Sequence, residues 1–224
     1  MNMNSKFHAI VSADIVSSTS LSVDGLVNLT SSIHEEFSKM KDFFGGDFWG
    51  RVIKGDAIEC FVSQPEDSLR VALILKCLIK EFVLEYKSEG SKEFRRYALR
   101  FSIGIGELLS ASGPDGLLIG EAVNYAGRNL DAMGKSLSKL SSVATPDQGA
   151  TMALDGIASV LSSMIDNASA KQCQVVRRLL YNMTETEIGE EIGISQGAVS
   201  LRSSGADWRL IKKQLSLYET QIKK

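Results

Sequence analysis

The sequence predicts an α/β sandwich of the α+β kind, a sheet covered by helices, followed by a small all-helical unit. Three observations carry this reading. Apolar strand-like runs alternate with segments of helical period over residues 8–133. A Gly-Asp pair joins two short apolar runs at hairpin spacing. Near the C-terminus, a Thr-x-x-Glu capping box and a serine cap flank a glycine turn.

Residues 8–16 form an apolar run closing on Ser17, Ser18 and Thr19, the pattern of a buried strand. Leu26, Leu29, Ile33, Phe37 and Met40 then recur at three- and four-residue spacing, one face of an amphipathic helix. Gly45, Gly46 and Gly50 punctuate the following loop. Residues 51–62 read as two strands turning at Gly55 and Asp56. Pro65 opens a helix expected over 66–86, with Leu69, Leu73, Leu78 and Phe82 inward. Residues 99–108 read as one strand, 113–116 as a turn, and 122–133 as a third helix. Residues 134–169 are rich in Ser, Ala and Gly, with helical periodicity only over 152–165, and read as a helical connector. In residues 170–224, Thr184 and Glu187 form the capping box of a helix carrying Ile188 and Ile192. Gly193 turns the chain, and Ser195 caps a second helix with Val199 inward. Two short helices around a glycine turn make a helix-turn-helix, with residues 173–180 as its supporting helix.

Composition narrows the class. The 224 residues are 44% hydrophobic and 23% charged, ordinary globular usage, so disordered and fibrous readings drop out. No apolar run is long enough to span a bilayer, and the polar N-terminus does not read as a signal peptide, so a cytoplasmic protein without a membrane partner is expected. Cys60, Cys77 and Cys173 lack CxxC spacing and nearby histidines, which fits buried thiols rather than a zinc site or disulfide scaffold. The net charge of −2 divides unevenly: residues 170–224 hold nine Lys/Arg against six Asp/Glu, giving the tail +3 and the rest −5. That asymmetry suggests a second task near a polyanion.

Two carboxylates stand where they are expensive unless paired, hydrogen-bonded or metal-bound: Asp14 at the end of the first strand and Asp56 at the hairpin tip. Either they hold Mg²⁺, which takes a few carboxylates plus phosphate oxygens, or Asp14 caps the next turn and Asp56 merely makes the hairpin. In the tail, Ser195, Gln196, Gly197, Ser200 and Arg202 would line a DNA recognition helix, Gln suiting adenine and Arg guanine. Arg177 and Arg178 are either phosphate contacts or a solvated helix face. The alternative for the whole unit is a helical appendage for dimerisation or regulation.

Four segments in order resemble class III nucleotidyl cyclases: residues 13–21 around Asp14-Ile15-Val16, Gly55-Asp56-Ala57-Ile58 with Phe61, residues 100–107, and Gly120-x-x-Val123-Asn124-x-Ala126-x-Arg128. The resemblance implies a ferredoxin-like or palm-type cyclase sheet over 1–133, two Mg²⁺ or Mn²⁺ ions on Asp14, Asp56 and the Ile15 carbonyl, and a nucleoside triphosphate near Ser18, Thr19 and Lys54. It implies that Asn124 orients the ribose, that Arg128 stabilises charge on the α-phosphate, and that a homodimer shares the site. At four-residue spacing the last two share a helix face. The purine-selecting positions hold Val52 and Leu117, with Lys54 the candidate substitute, and base identity stays open. Lys135 and Lys139 are phosphate-binding candidates by position alone.

Over nearly the whole chain the sequence also resembles bacterial SatD-family proteins, through Asp14-Ile15, Gly55-Asp56, Pro65-Glu66-Asp67-x-Leu69-Arg70, Ile103-Gly104-x-Gly106-Glu107, and the terminal helix-turn-helix with Trp208 beyond it. Two functions follow as expectations. One is a signalling protein joining a cyclase-like domain that forms a 3′,5′-cyclic nucleotide to a unit that binds double-stranded DNA. The other is a SatD-like regulator whose cyclase-like half senses nucleotide without turnover.

Overall fold

A computed structural model describes residues 7–16, 18, 21–45, 47–53, 55–85, 98–134 and 139–223. Among the described residues a five-stranded sheet organises the molecule, its strands running from Trp49–Ile53 at one edge through Ala57–Val62, His8–Ile15 and Leu99–Gly106 to Ser141–Ala144 at the other. β1 (His8–Ile15) lies between β3 (Ala57–Val62) and β4 (Leu99–Gly106), antiparallel to both, and β2 (Trp49–Ile53) pairs with β3 through the hairpin. The segment expected to be one strand over 99–108 ends at Gly106. Leu108–Ala111 forms β5, which pairs with β6 (Leu118–Gly120) in a separate two-stranded sheet.

Alternation divides the sheet into two faces. Ala9, Val11, Ala13 and Ile15, with Ile58, Cys60, Val62, Leu99, Phe101, Ile103 and Ile105, point to one side and are all buried in the main core. Covering them are α1 (Val23–Phe44), capped where Gly25 N–H donates to Ser22 Oγ, and α2 (Ser68–Glu85), which begins after a 3₁₀ turn at Pro65–Asp67. The ammonium of Lys76 is buried on this side, donating to Leu99 O at 2.8 Å and pairing with Asp166 at 2.9 Å. Burial pushes its pKa down while Asp166 opposes the shift.

The other face carries Ile10 and Phe61, which form a small core with Ala122 and Ala126 of α3 (Glu121–Met133). Gly104 makes this docking possible, since a Cβ there would collide with the Ala122 carbonyl oxygen.

Residues 134–169, expected as a connector, supply β7 (Ser141–Ala144), parallel to β4, and α4 (Gln148–Asn167). Asp147 caps α4, whose Leu154, Ile157, Ala158, Leu161 and Ile165 join the main core. The tail folds as α5 (Ala170–Leu180), α6 (Glu185–Ile192), α7 (Gln196–Gly205) and α8 (Trp208–Ile222). Val175, Leu179, Ile188 and Val199 form its own small core. Cys173, Val176 and Leu180 of α5, with Ile211, Leu215 and Tyr218 of α8, belong instead to the main core. All three cysteines are free and buried.

Candidate functional site

The hairpin turn brings Asp56 beside the end of β1. Ile15 N–H donates to the Asp56 carbonyl at 3.2 Å, Asp14 stands opposite Ala57, and Ser18 Oγ donates to Asp56 Oδ2 at 2.6 Å. Gly55 takes φ +81°, which the tight turn requires. Asp14, Ile15, Ser18 and Asp56 thus meet at one corner of the sheet. Thr19 and Lys54 lie outside the described residues.

A residue the sequence reading missed stands at the same corner. Arg100 lies opposite Asp14 in β4, and its Nε donates to Oδ1 at 2.8 Å while Nη2 meets Oδ2. Hydrogen bonding to Asp14 raises the Arg100 pKa, and the carboxylate keeps 27% exposure. Alternation along β4 places Arg100 on the face of Gly104; only the register with β1 reveals its partner.

The next cross-strand row on this face is also polar: Arg51, Glu59, Ser12, Ser102 and Ser142. Arg51 donates to Glu59 Oε2 from Nε at 2.8 Å and from Nη2 at 2.5 Å, and Nη1 holds the carbonyls of Pro114 and Gly116 at 3.0 and 2.9 Å. Ser102 Oγ is buried without a hydrogen-bond partner among the described residues.

Asn124 and Arg128 sit one turn apart on α3, both exposed, with no hydrogen bond or ion pair among the described residues. The chain does not bring them to Asp14 or Asp56 by any such contact. Val52 packs against the main core and Leu117 is 68% exposed. Lys139 pairs with Asp155 at 3.5 Å, and Lys135 lies outside the described residues. Trp49 stacks on Phe61 at 5.8 Å, a packing contact.

Among the described residues, no group of three or more His, Cys, Asp or Glu side chains could hold a metal ion. Two carboxylates and one carbonyl still suit a hard cation that brings phosphate oxygens of its own. The donor set therefore fits Mg²⁺ or Mn²⁺ arriving with a triphosphate, provided Arg100 releases Asp14.

In the tail, Thr184 and Glu187 close the expected capping box, and Ser195 Oγ accepts from Ala198 N–H at 3.2 Å. Gln196 and Gly197 are exposed and Ser200 is half-buried. Gln196 donates to Glu185 at 2.5 Å and Arg202 to Gln174 at 3.0 Å, so both polar side chains are already engaged. Arg177 is not available to phosphate: it is buried, with Nη1 on Glu36 at 2.6 Å and Nη2 on Glu81 at 2.7 Å. Burial works against its charge, but the two carboxylates prevail and raise its pKa. Arg178 pairs with Glu81 and Glu191. Tyr181 Oη donates to Glu36 at 2.9 Å.

No family model and no curated protein matches the chain. Solved structures do match, adenylyl and guanylyl cyclases among them. One is a bacterial light-regulated adenylyl cyclase, 17% identical, TM-score 0.43, covering 62% of this chain and 43% of that one. Another is the dimeric guanylyl cyclase domain of the RhoGC fusion protein from the aquatic fungus Blastocladiella emersonii, 19% identical, TM-score 0.38, covering 55% of this chain and 72% of that one. The chain thus spans less than half the length of the first. No helix among the described residues is long and apolar enough to cross a membrane.

Proposed function

We propose that the Asp14–Asp56 corner binds a nucleoside triphosphate together with Mg²⁺ or Mn²⁺, and that two copies of the chain share the site to form a cyclic nucleotide. The observation that carries this is the meeting of Asp14, Ile15 and Asp56 at a corner of the sheet face that also holds the polar row, of which Arg51, Glu59 and Ser12 are partly exposed. Asp14, Asp56 and the Ile15 carbonyl would hold the metal, which would acidify the ribose 3′-hydroxyl and offset phosphate charge. Ser18 fixes the Asp56 carboxylate, and Arg100, once off Asp14, is free to meet phosphate oxygens. Asn124 and Arg128, exposed and uncommitted, serve the copy opposite, Asn124 on the ribose and Arg128 on the α-phosphate.

The test is incubation with ATP, GTP, CTP or UTP plus Mn²⁺ and mass spectrometry for a cyclic product, with Asp14→Ala as control. Mixing Asp14→Ala chains with Arg128→Ala chains should restore part of the activity through one intact interface. Failure to complement, with both variants folded and dimeric, would sink the shared site.

A second reading is favoured by the Asp14–Arg100 pair, which neutralises the first carboxylate. On it, the corner senses nucleotide without turnover and α7 meets DNA through Ser195, Gln196, Gly197, Ser200 and Arg202. Four glutamates on α6 (Glu185, Glu187, Glu190 and Glu191) oppose the polyanion, so binding would be weak. Fluorescence anisotropy on a random duplex, repeated across salt concentrations, checks this: no binding at low salt removes the DNA role.

A further inference from the structure

A cavity of about 270 Å³ lies where the helical tail meets α2, between the end of α5, the 182–183 turn and one face of α8. Its apolar wall is Leu179, Met183, Trp208 and Leu215. Trp208 is only partly buried and packs on both the main core and the small core of the tail, so its indole sits at the joint between them.

Among the described residues the polar wall has one engaged cation, Arg70, and one free one, Lys212. Arg70 is fully occupied, donating to Leu180 O at 2.9 Å, Asn182 Oδ1 at 3.4 Å and Glu219 Oε1 at 2.7 Å. Its charge is cancelled by Glu219, and it serves as structure. Lys212, one turn after Trp208 on the same face of α8, is exposed and has no hydrogen bond or ion pair among the described residues. An aromatic face and an uncommitted ammonium therefore open onto one space.

The backbone marks the same place. Asn182 (φ 61°) and Asp207 (φ 53°) are the two non-glycine residues with positive φ among the described residues. One lines the cavity and the other immediately precedes Trp208. Each is the first residue past a helix C-cap, Asn182 after α5 and Asp207 after α7, where a left-handed residue commonly stops a helix, so these two turns fix the cavity's edges and do not themselves point to an occupant.

We propose that this cavity is a binding site for a small organic anion with a flat apolar body, the body lying on Trp208 and the anionic group on Lys212. It stands apart from the Asp14–Asp56 corner, and neither the nucleotide nor the DNA reading uses it. Because the cavity joins α2 to the turn that launches α6, an occupant would bear on how the helix-turn-helix is held.

The probe is 2-naphthoate, titrated calorimetrically into the full chain. One molecule should bind per chain, and the methyl resonance of ¹³C-labelled Met183 should shift. Lys212→Met should weaken binding by about tenfold or more, the loss of one charge-assisted contact, while Lys213→Met should not. Ser216→Trp, at an exposed cavity-lining position, should fill the space and abolish binding with the fold intact by circular dichroism. 2-Naphthalenemethanol, the neutral twin, should bind about tenfold more weakly. No binding of 2-naphthoate to the unaltered chain overturns the proposal, as does binding that survives Ser216→Trp. Binding lost in Ser216→Trp but unchanged in Lys212→Met overturns the anionic assignment.

Discussion

The two faces of the central sheet are made from the same five strands and are built on opposite principles. Toward α1 and α2, strand residues from Ala9 to Ile105 are apolar and buried, and the cations that occur there are buried too, Arg177 with enclosed Glu36 and Glu81 and Lys76 with the partly exposed Asp166. Toward α3, apolar packing around Ile10 and Phe61 gives way to Arg51, Glu59, Ser12, Asp14 and Arg100, all partly exposed. A buried pair is costly to break because water cannot replace the lost partner. A pair that water still reaches, as at Asp14–Arg100, can exchange its partner for a ligand at smaller cost. The second face is therefore where chemistry is affordable.

The sharpest test of that contrast is Arg177→Ala, which among the described residues leaves buried Glu36 with the Tyr181 hydroxyl alone and Glu81 with Arg178 alone; urea unfolding should show a loss of about 3–5 kcal/mol. Next, Gly104→Ala should drive α3 away from β4 and lower stability by about 1–3 kcal/mol in the same assay, showing that the second face is packed at its α3 end. Asp67, in the 3₁₀ turn just before α2, probes the rim of the first face. Burial raises its carboxyl to about 6, with Glu66 and Glu219 adding and Arg70 opposing. The folded chain then keeps a proton that the unfolded chain releases near 4, so stability should fall as pH rises from about 4 through about 6. Asp67→Asn should flatten that fall in a series of melting temperatures. Smallest is Arg100→Gln, expected to cost about 1 kcal/mol, the upper end for an exposed pair, because the contact is bidentate and Arg100 is only 12% exposed while Asp14 keeps 27%. It should nonetheless tighten binding of Mn²⁺ alone, read as loss of the free-ion electron paramagnetic resonance signal; a cost as large as that of Arg177→Ala would erase the distinction between the faces.

What the sequence made legible was what local chemistry determines. The Gly55–Asp56 turn, the α1 stripe, the Thr184 box and the Ser195 cap each depend on neighbours within a few residues. β7 was not legible, because Ser141-Ser-Val-Ala144 has neither an apolar run nor alternation and becomes a strand only through its pairing with β4. The strand expected over 99–108 breaks at Glu107 because Gly106 ends the pairing with β1 and Leu108 begins a pairing with Gly120. At the candidate site, Asp14 and Asp56 were visible as carboxylates at strand ends, whereas Arg100 was hidden 86 residues away from Asp14. Arg177 looked like a surface cation because its partners come from α1 and α2, far off in the chain.

β7 also governs how this protein can be divided and recombined. A gene fragment ending at residue 133 would code for a sheet lacking its parallel edge strand, with the backbone of β4 bare to any passing chain. Extending it through α4 would still strip the main core of the side chains that α5 and α8 contribute. Neither half is a cassette that recombination could move intact, and a working exchange would have to bring β7, α4, α5 and α8 together.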